Sequence, residues 1–179
     1  MVDKIETISV IGAGYMGQQI IEKSALFGYN INVFEVNPEG LDEFIKKIKK
    51  KVLKKNIKIE IKSYLTVSES VKKTDLIIEA IPEKLELKRE IFAQIDKSAP
   101  PNAILATNSS SIPVSKLEDV VERKDKLLNI HFYNLFTMPL ADIMRGTKTS
   151  DETFQKGKNW IFNNLSLRST TSSSFETGI

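Results

Sequence analysis

Residues 8–37 read "ISVIGAGYMGQQIIEKSALFGYNINVFEVN". An apolar run turns through three glycines, continues with apolar residues at helical spacing as far as Gly28, and ends in a second apolar run. Short apolar runs bounded by turn residues read as strands and a three-to-four-residue repeat as a helix, so the stretch is strand, helix, strand. The alternation continues outward. "NPEGLDEF" opens a second helix, with Asn37 as its cap and Pro38 in its first turn. "IKIEIKSYLTVS" is extended, "DLIIEAI" is a strand buried on both faces, and "PEKLELKREIFAQIDKSA" is a helix stopped by Pro100 and Pro101. "AILATNSS" and "KLLNIHFY" follow as strands, "MPLADIM" as another, and "SDETFQKGKNWIFNNL" as a last helix. This order implies an α/β fold, a doubly wound and mostly parallel sheet with helices on both faces. Residues 1–165 are expected to form that domain. Residues 166–179, "SLRSTTSSSFETGI", are rich in serine and threonine without a useful period and are expected to be a loose or only locally ordered tail.

Composition narrows the function. The 179 residues are 41% apolar and 27% charged, as in an ordinary globular domain, and 26 basic against 23 acidic side chains leave too small an excess to argue for nucleic acid. The densest basic stretch, "FIKKIKKKVLKK", sets Ile45, Ile48 and Val52 at helical spacing behind Leu41, so its lysines fall on the wet face rather than forming a phosphate or membrane patch. With no cysteine and one histidine, thiolate chemistry and a histidine-rich metal site are excluded. The amino terminus carries acids and runs straight into a strand pattern, unlike a secretion signal, and no apolar run approaches membrane-spanning length; a cytoplasmic location is expected.

Gly12, Gly14 and Gly17 have the G-x-G-x-x-G spacing of a dinucleotide site. The first glycine permits a tight turn, the second lets a pyrophosphate reach the backbone, and the third lets helix and strand pack closely. A helix starting near Tyr15 and Met16 points free amides and the positive end of its dipole at the phosphates. Glu35 ends the second strand at the position of a ribose-binding acid, and no arginine stands beside it to favour a 2′-phosphate, so the expected cofactor is NAD.

Four stretches in order resemble the NAD-binding, Rossmann-type domain of the 3-hydroxyacyl-CoA dehydrogenases, which include the 3-hydroxybutyryl-CoA dehydrogenases. They are "GAGYMG", "DLIIEAIPEKLELKREIF", "ATNSSSI" (similar to T-N-T-S-S-[LI]) and "HFYN" (similar to H-F-F-N-P). The resemblance implies that Ala80, Glu83 and Lys88 lie near the nicotinamide half of NAD, that Ser110 touches both nicotinamide and substrate oxygen, that His131 is the general base, and that Asn134 sits beside the nicotinamide. Oxidising a secondary alcohol removes a hydride, which NAD accepts, and a proton, which an imidazole is suited to take near neutral pH. Blander readings stand beside these: Glu83 and Lys88 as a helix surface pair, the serines as a strand-to-helix cap, His131 as a core histidine.

Two features depart from the family pattern. Aligning "HFYNLFTMPLAD" on the family's M-x-L-x-acid makes Asp142 the partner of His131, one methylene shorter than the usual glutamate, with the proline after Asn134 missing. The family's helical second domain, with its dimer contacts and much of its acyl pocket, is not readable after Leu165. The implied substrate is a 3-hydroxyacyl-CoA or 3-oxoacyl-CoA, the implied partner a separate helical domain or a second copy, and the alternative is a non-catalytic NAD-binding remnant or regulatory protein.

Overall fold

The computed structural model describes residues 4–164 and 168–172. Eight strands form one sheet: β1 (Thr7–Ile11), β2 (Asn30–Phe34), β3 (Ile61–Tyr64), β4 (Leu76–Glu79), β5 (Ile104–Thr107), β6 (Leu127–Phe132), β7 (Leu140–Arg145) and β8 (Arg168–Ser172). They lie in the order β3-β2-β1-β4-β5-β6-β7-β8; β1 to β6 are parallel and β7 runs against β6. Five helices join them: α1 (Tyr15–Leu26), α2 (Leu41–Lys54), α3 (Val67–Val71), α4 (Leu85–Ser98) and α5 (Asp151–Asn164).

The strands are apolar throughout because both faces are covered. Ile8, Val10, Leu76 and Ile78 face one core with Ile20 and Ile21 of α1, Ile45 and Ile48 of α2, and Trp160 and Ile161 of α5. The intervening Ile11, Ile77, Leu105 and Leu127 face a second core with Val71 of α3 and Phe92 and Ile95 of α4. Alternate residues thus serve opposite faces, as a period of two requires. Each fully buried Ile, Leu or Phe contributes about 1.5–3 kcal/mol. The apolar stripe of α2, Leu41, Ile45, Ile48 and Val52, is buried and its lysines are exposed, as its spacing predicts.

Three expectations change. The helix expected from Asn37 starts at Leu41, because Asn37 Oδ1 accepts the Glu39 amide at 3.4 Å in a turn and Gly40 takes a left-handed conformation, φ 75°, immediately before the helix. The fourth helix starts at Leu85, after "PEK". The extended reading of "IKIEIKSYLTVS" gives way at Thr66, whose hydroxyl accepts the Glu69 amide and caps α3. Within the tail expected to be loose or only locally ordered, Arg168–Ser172 form β8, parallel to β7 with Leu140 opposite Arg168. Without β8, β7 would end the sheet with a row of unpaired amides and carbonyls, and threonine suits a strand, so this segment can pair without an apolar pattern. The rest of the expected tail lies outside the described residues. Among the described residues no helix is long and apolar enough to cross a membrane, and no cluster of three or more His, Cys, Asp or Glu is placed to hold a metal.

Candidate functional site

The strand order reverses between β1 and β4, which opens a crevice at the carboxyl edge of the sheet. The ends of β1, β2, β4, β5 and β6 deliver the expected site residues to this edge.

The glycine loop follows β1. Gly12 has φ +98°, and a Cβ there would lie 2.8 Å from the Ala80 carbonyl oxygen at the end of β4. A Cβ on Gly17 would collide with the Gly12 carbonyl oxygen, so the third glycine is the contact between helix and loop. A Cβ on Gly14 would meet nothing within 4 Å. α1 begins there without a side-chain cap and without an acid in its first turn, leaving its first amides for an external acceptor. An open approach at Gly14 beside uncapped amides fits a pyrophosphate. Tyr15 is exposed, whereas Met16 is half-buried against the core. Glu35 reaches back over the loop: its Oε2 accepts the Ala13 amide at 2.5 Å and its Oε1 the Asn37 amide at 3.0 Å. The acid expected at the ribose therefore stands at the mouth of the glycine loop.

Behind the next strand ends lies a network of charges. Glu79, in apolar β4, is 0% exposed, and its Oε1 accepts Lys88 Nζ at 2.6 Å and the Ile81 amide at 2.8 Å. Its Oε2 accepts the Thr107 hydroxyl at 2.7 Å. Lys88, in α4, is 1% exposed and also reaches Glu83 Oε2 at 3.3 Å. Glu83 Oε1 gathers the loop after β5: the Ser109 hydroxyl, the Ser111 amide and hydroxyl at 2.9 Å each, and the Ile112 amide at 3.3 Å. Partial burial pushes the Glu83 carboxyl up, but the hydroxyl of Ser109, the amide and hydroxyl of Ser111 and the Lys88 ammonium outweigh it and hold it down at about 2. Ser110 is left exposed at the tip of the clamped loop. Lys88 is thus neither a helix surface ion nor a crevice wall; it stands behind Glu83 and holds it.

His131 occupies the end of β6, directly opposite Asp142 on β7. The two side chains are 22% and 24% exposed, and Nδ1 lies 3.8 Å from Asp142 Oδ2, beyond hydrogen-bond length. That Oδ2 instead accepts the Tyr133 hydroxyl at 2.8 Å. The expected dyad is therefore brought together in register, with Nδ1 and Oδ2 beyond hydrogen-bond length. The carboxylate in turn holds the Tyr133 hydroxyl above its usual range. Asn134 Nδ2 donates to the Tyr15 hydroxyl at 2.7 Å, and its Oδ1 accepts the Thr137 amide at 2.9 Å. The Leu135 amide donates to Gln19 Oε1 at 2.9 Å, so α1 and the loop after His131 are tied together.

The sequence model of the family described as 3-hydroxyacyl-CoA dehydrogenase, NAD binding domain, matches residues 7–163. The chain belongs to that family. This 3-hydroxyacyl-CoA dehydrogenase NAD-binding domain is 34% identical over 162 residues to a probable 3-hydroxybutyryl-CoA dehydrogenase of Bacillus subtilis, covering 84% of this chain and 56% of that protein. It is 30% identical over 170 residues to the human mitochondrial hydroxyacyl-coenzyme A dehydrogenase, covering 84% of this chain and 54% of that protein. The structure of (S)-3-hydroxybutyryl-CoA dehydrogenase from Ralstonia eutropha superposes with a TM-score of 0.80 at 30% identity, over 94% of this chain and 63% of that one. The chain thus spans about half the length of the curated relatives it matches. Its cofactor is NAD, in keeping with the family and with the glycine loop.

Within the 3-hydroxyacyl-CoA dehydrogenase domain, Glu79, Ser109, Ser111 and Tyr133 escaped the sequence reading. An acid inside a strand otherwise buried on both faces was the available signal for Glu79, since a buried carboxylate demands a cation. The family resemblance drew attention to Ser110 alone among three adjacent serines, and only the structure separates the two that face Glu83 from the one that faces outward.

Proposed function

We propose that the chain is the cofactor-binding part of an NAD-dependent 3-hydroxyacyl-CoA dehydrogenase, acting in cytoplasmic fatty acid metabolism. One observation supports the reading: the glycine loop follows β1, Ser110 follows β5 and His131 lies near the end of β6, all at the carboxyl edge of the parallel strands. The first amides of α1 and Glu35 would hold the pyrophosphate and the adenosine ribose; Ala80, Glu83 and Asn134 would border the nicotinamide. Bound NAD supplies the acceptor for the hydride. His131 takes the proton from the substrate hydroxyl, and Ser110 donates a hydrogen bond to the same oxygen. Substrate is a 3-hydroxyacyl-CoA or its 3-oxo product, and a helical half, on a separate partner or a second copy, would close the acyl side of the cleft against water.

NADH titration followed by an acetoacetyl-CoA reduction assay tests this. The expected result is saturable binding with turnover. Binding without turnover at high enzyme concentration would instead favour the second reading, a non-catalytic NAD-binding protein, with which the 3.8 Å His131–Asp142 separation is in keeping.

Glu35→Ala should bring the affinity for NADPH toward that for NADH, because it removes the carboxylate that repels a 2′-phosphate. The measurement is paired titration with both nucleotides; an unchanged preference would place ribose recognition elsewhere.

A further inference from the structure

Tyr133 and Asp142 depart together from the pattern that "HFYN" resembles: the tyrosine adds a hydroxyl where that pattern has phenylalanine, and the aspartate removes a methylene where it has glutamate. In the fold the two changes meet. Tyr133 follows β6 with its amide still bonded to the Leu140 carbonyl at 3.1 Å, so it lies two residues from His131 on the same face. Its hydroxyl reaches Asp142 Oδ2 at 2.8 Å, and its ring lies 4.9 Å from the imidazole at 53°. An ionised carboxylate only accepts, so the phenol is the donor.

We propose that Tyr133 is a positioning residue for His131, engaging Asp142 Oδ2 and thereby limiting the hold of that carboxylate on Nδ1. The proposal rests on His131 being the base only for its catalytic consequence. A neutral imidazole carries one proton. A carboxylate bonded at Nδ1 fixes it there and leaves Nε2 as the acceptor for a substrate proton. At 3.8 Å this bond is not made, and the phenol draws Oδ2 toward itself. Tyr133 therefore weakens the lean toward the Nδ1–H form, which an added methylene on the acid would strengthen.

The lone histidine makes the test direct, since two-bond proton–nitrogen correlation of this chain shows a single imidazole. Relative to the wild type, Tyr133→Phe should shift the neutral tautomer balance toward Nδ1–H, and Asp142→Asn should shift it toward Nε2–H. Asp142→Glu, which restores the methylene, should shift it toward Nδ1–H with the tyrosine in place, and provides a second arm independent of the phenylalanine variant. An unchanged imidazole in Tyr133→Phe, or a shift in the same direction as Asp142→Asn, overturns the proposal. Turnover by His131→Ala would remove the base assignment while leaving these shifts intact, so the two failures are separable.

Discussion

Lys88→Met is expected to cost about 3–5 kcal/mol of folding stability, seen as a fall in melting temperature on the order of 10 °C. The side chain is 1% exposed and its ammonium lies 2.6 Å from a carboxylate that is itself 0% exposed. Methionine fills similar volume, so the cost is not a cavity but the Glu79 charge, left in the interior with only the Ile81 amide and Thr107 hydroxyl as donors. Adding Glu79→Gln should recover most of the loss, because the amide oxygen still accepts one of those donors and no charge remains to be buried. Urea unfolding of the single and double variants decides it. A double variant as unstable as the single would show that the hydrogen-bond geometry, not the uncompensated charge, sets the cost. The same substitution should loosen the serine loop, since Glu83 loses the cation that steadies it.

That cluster marks the limit of what the chain discloses on its own. Gly12, Gly14 and Gly17 are legible because each glycine answers a local steric demand, and the structure shows those demands at Gly12 and Gly17 as collisions with a particular carbonyl oxygen. The strands and most of the helices are legible because their periods reflect two faces or one. Elements that depend on partners far along the chain are not. Glu79 meets Lys88 across a turn, but it meets Thr107 through strand pairing. β8 is held by pairing with β7, far back along the chain, and carries no apolar alternation of its own. The 3.8 Å separation of His131 and Asp142 depends on the register of an antiparallel pair, which side-chain spacing in the sequence does not report. The bond from the Tyr133 hydroxyl to Asp142 Oδ2 depends on the same register.

His131→Ala is expected to lower kcat for acetoacetyl-CoA reduction by about 10²–10⁴-fold while leaving NADH affinity within a small factor of the wild type. The imidazole belongs to the one histidine of the sequence, and it stands at the carboxyl end of β6 facing β7. With Nδ1 turned toward Asp142, Nε2 is the nitrogen left for a substrate oxygen. NADH affinity should persist because the glycine loop and Glu35, which carry the pyrophosphate and adenosine contacts, belong to β1, α1 and β2. Asp142→Asn should cost far less than His131→Ala: a carboxylate 3.8 Å away without a hydrogen bond contributes attraction but does not fix the ring. Steady-state kinetics with a parallel NADH titration separates the outcomes. Equal losses in the two variants would mean that the dyad closes when substrate is bound, and near-wild-type turnover by His131→Ala would assign the proton to another group.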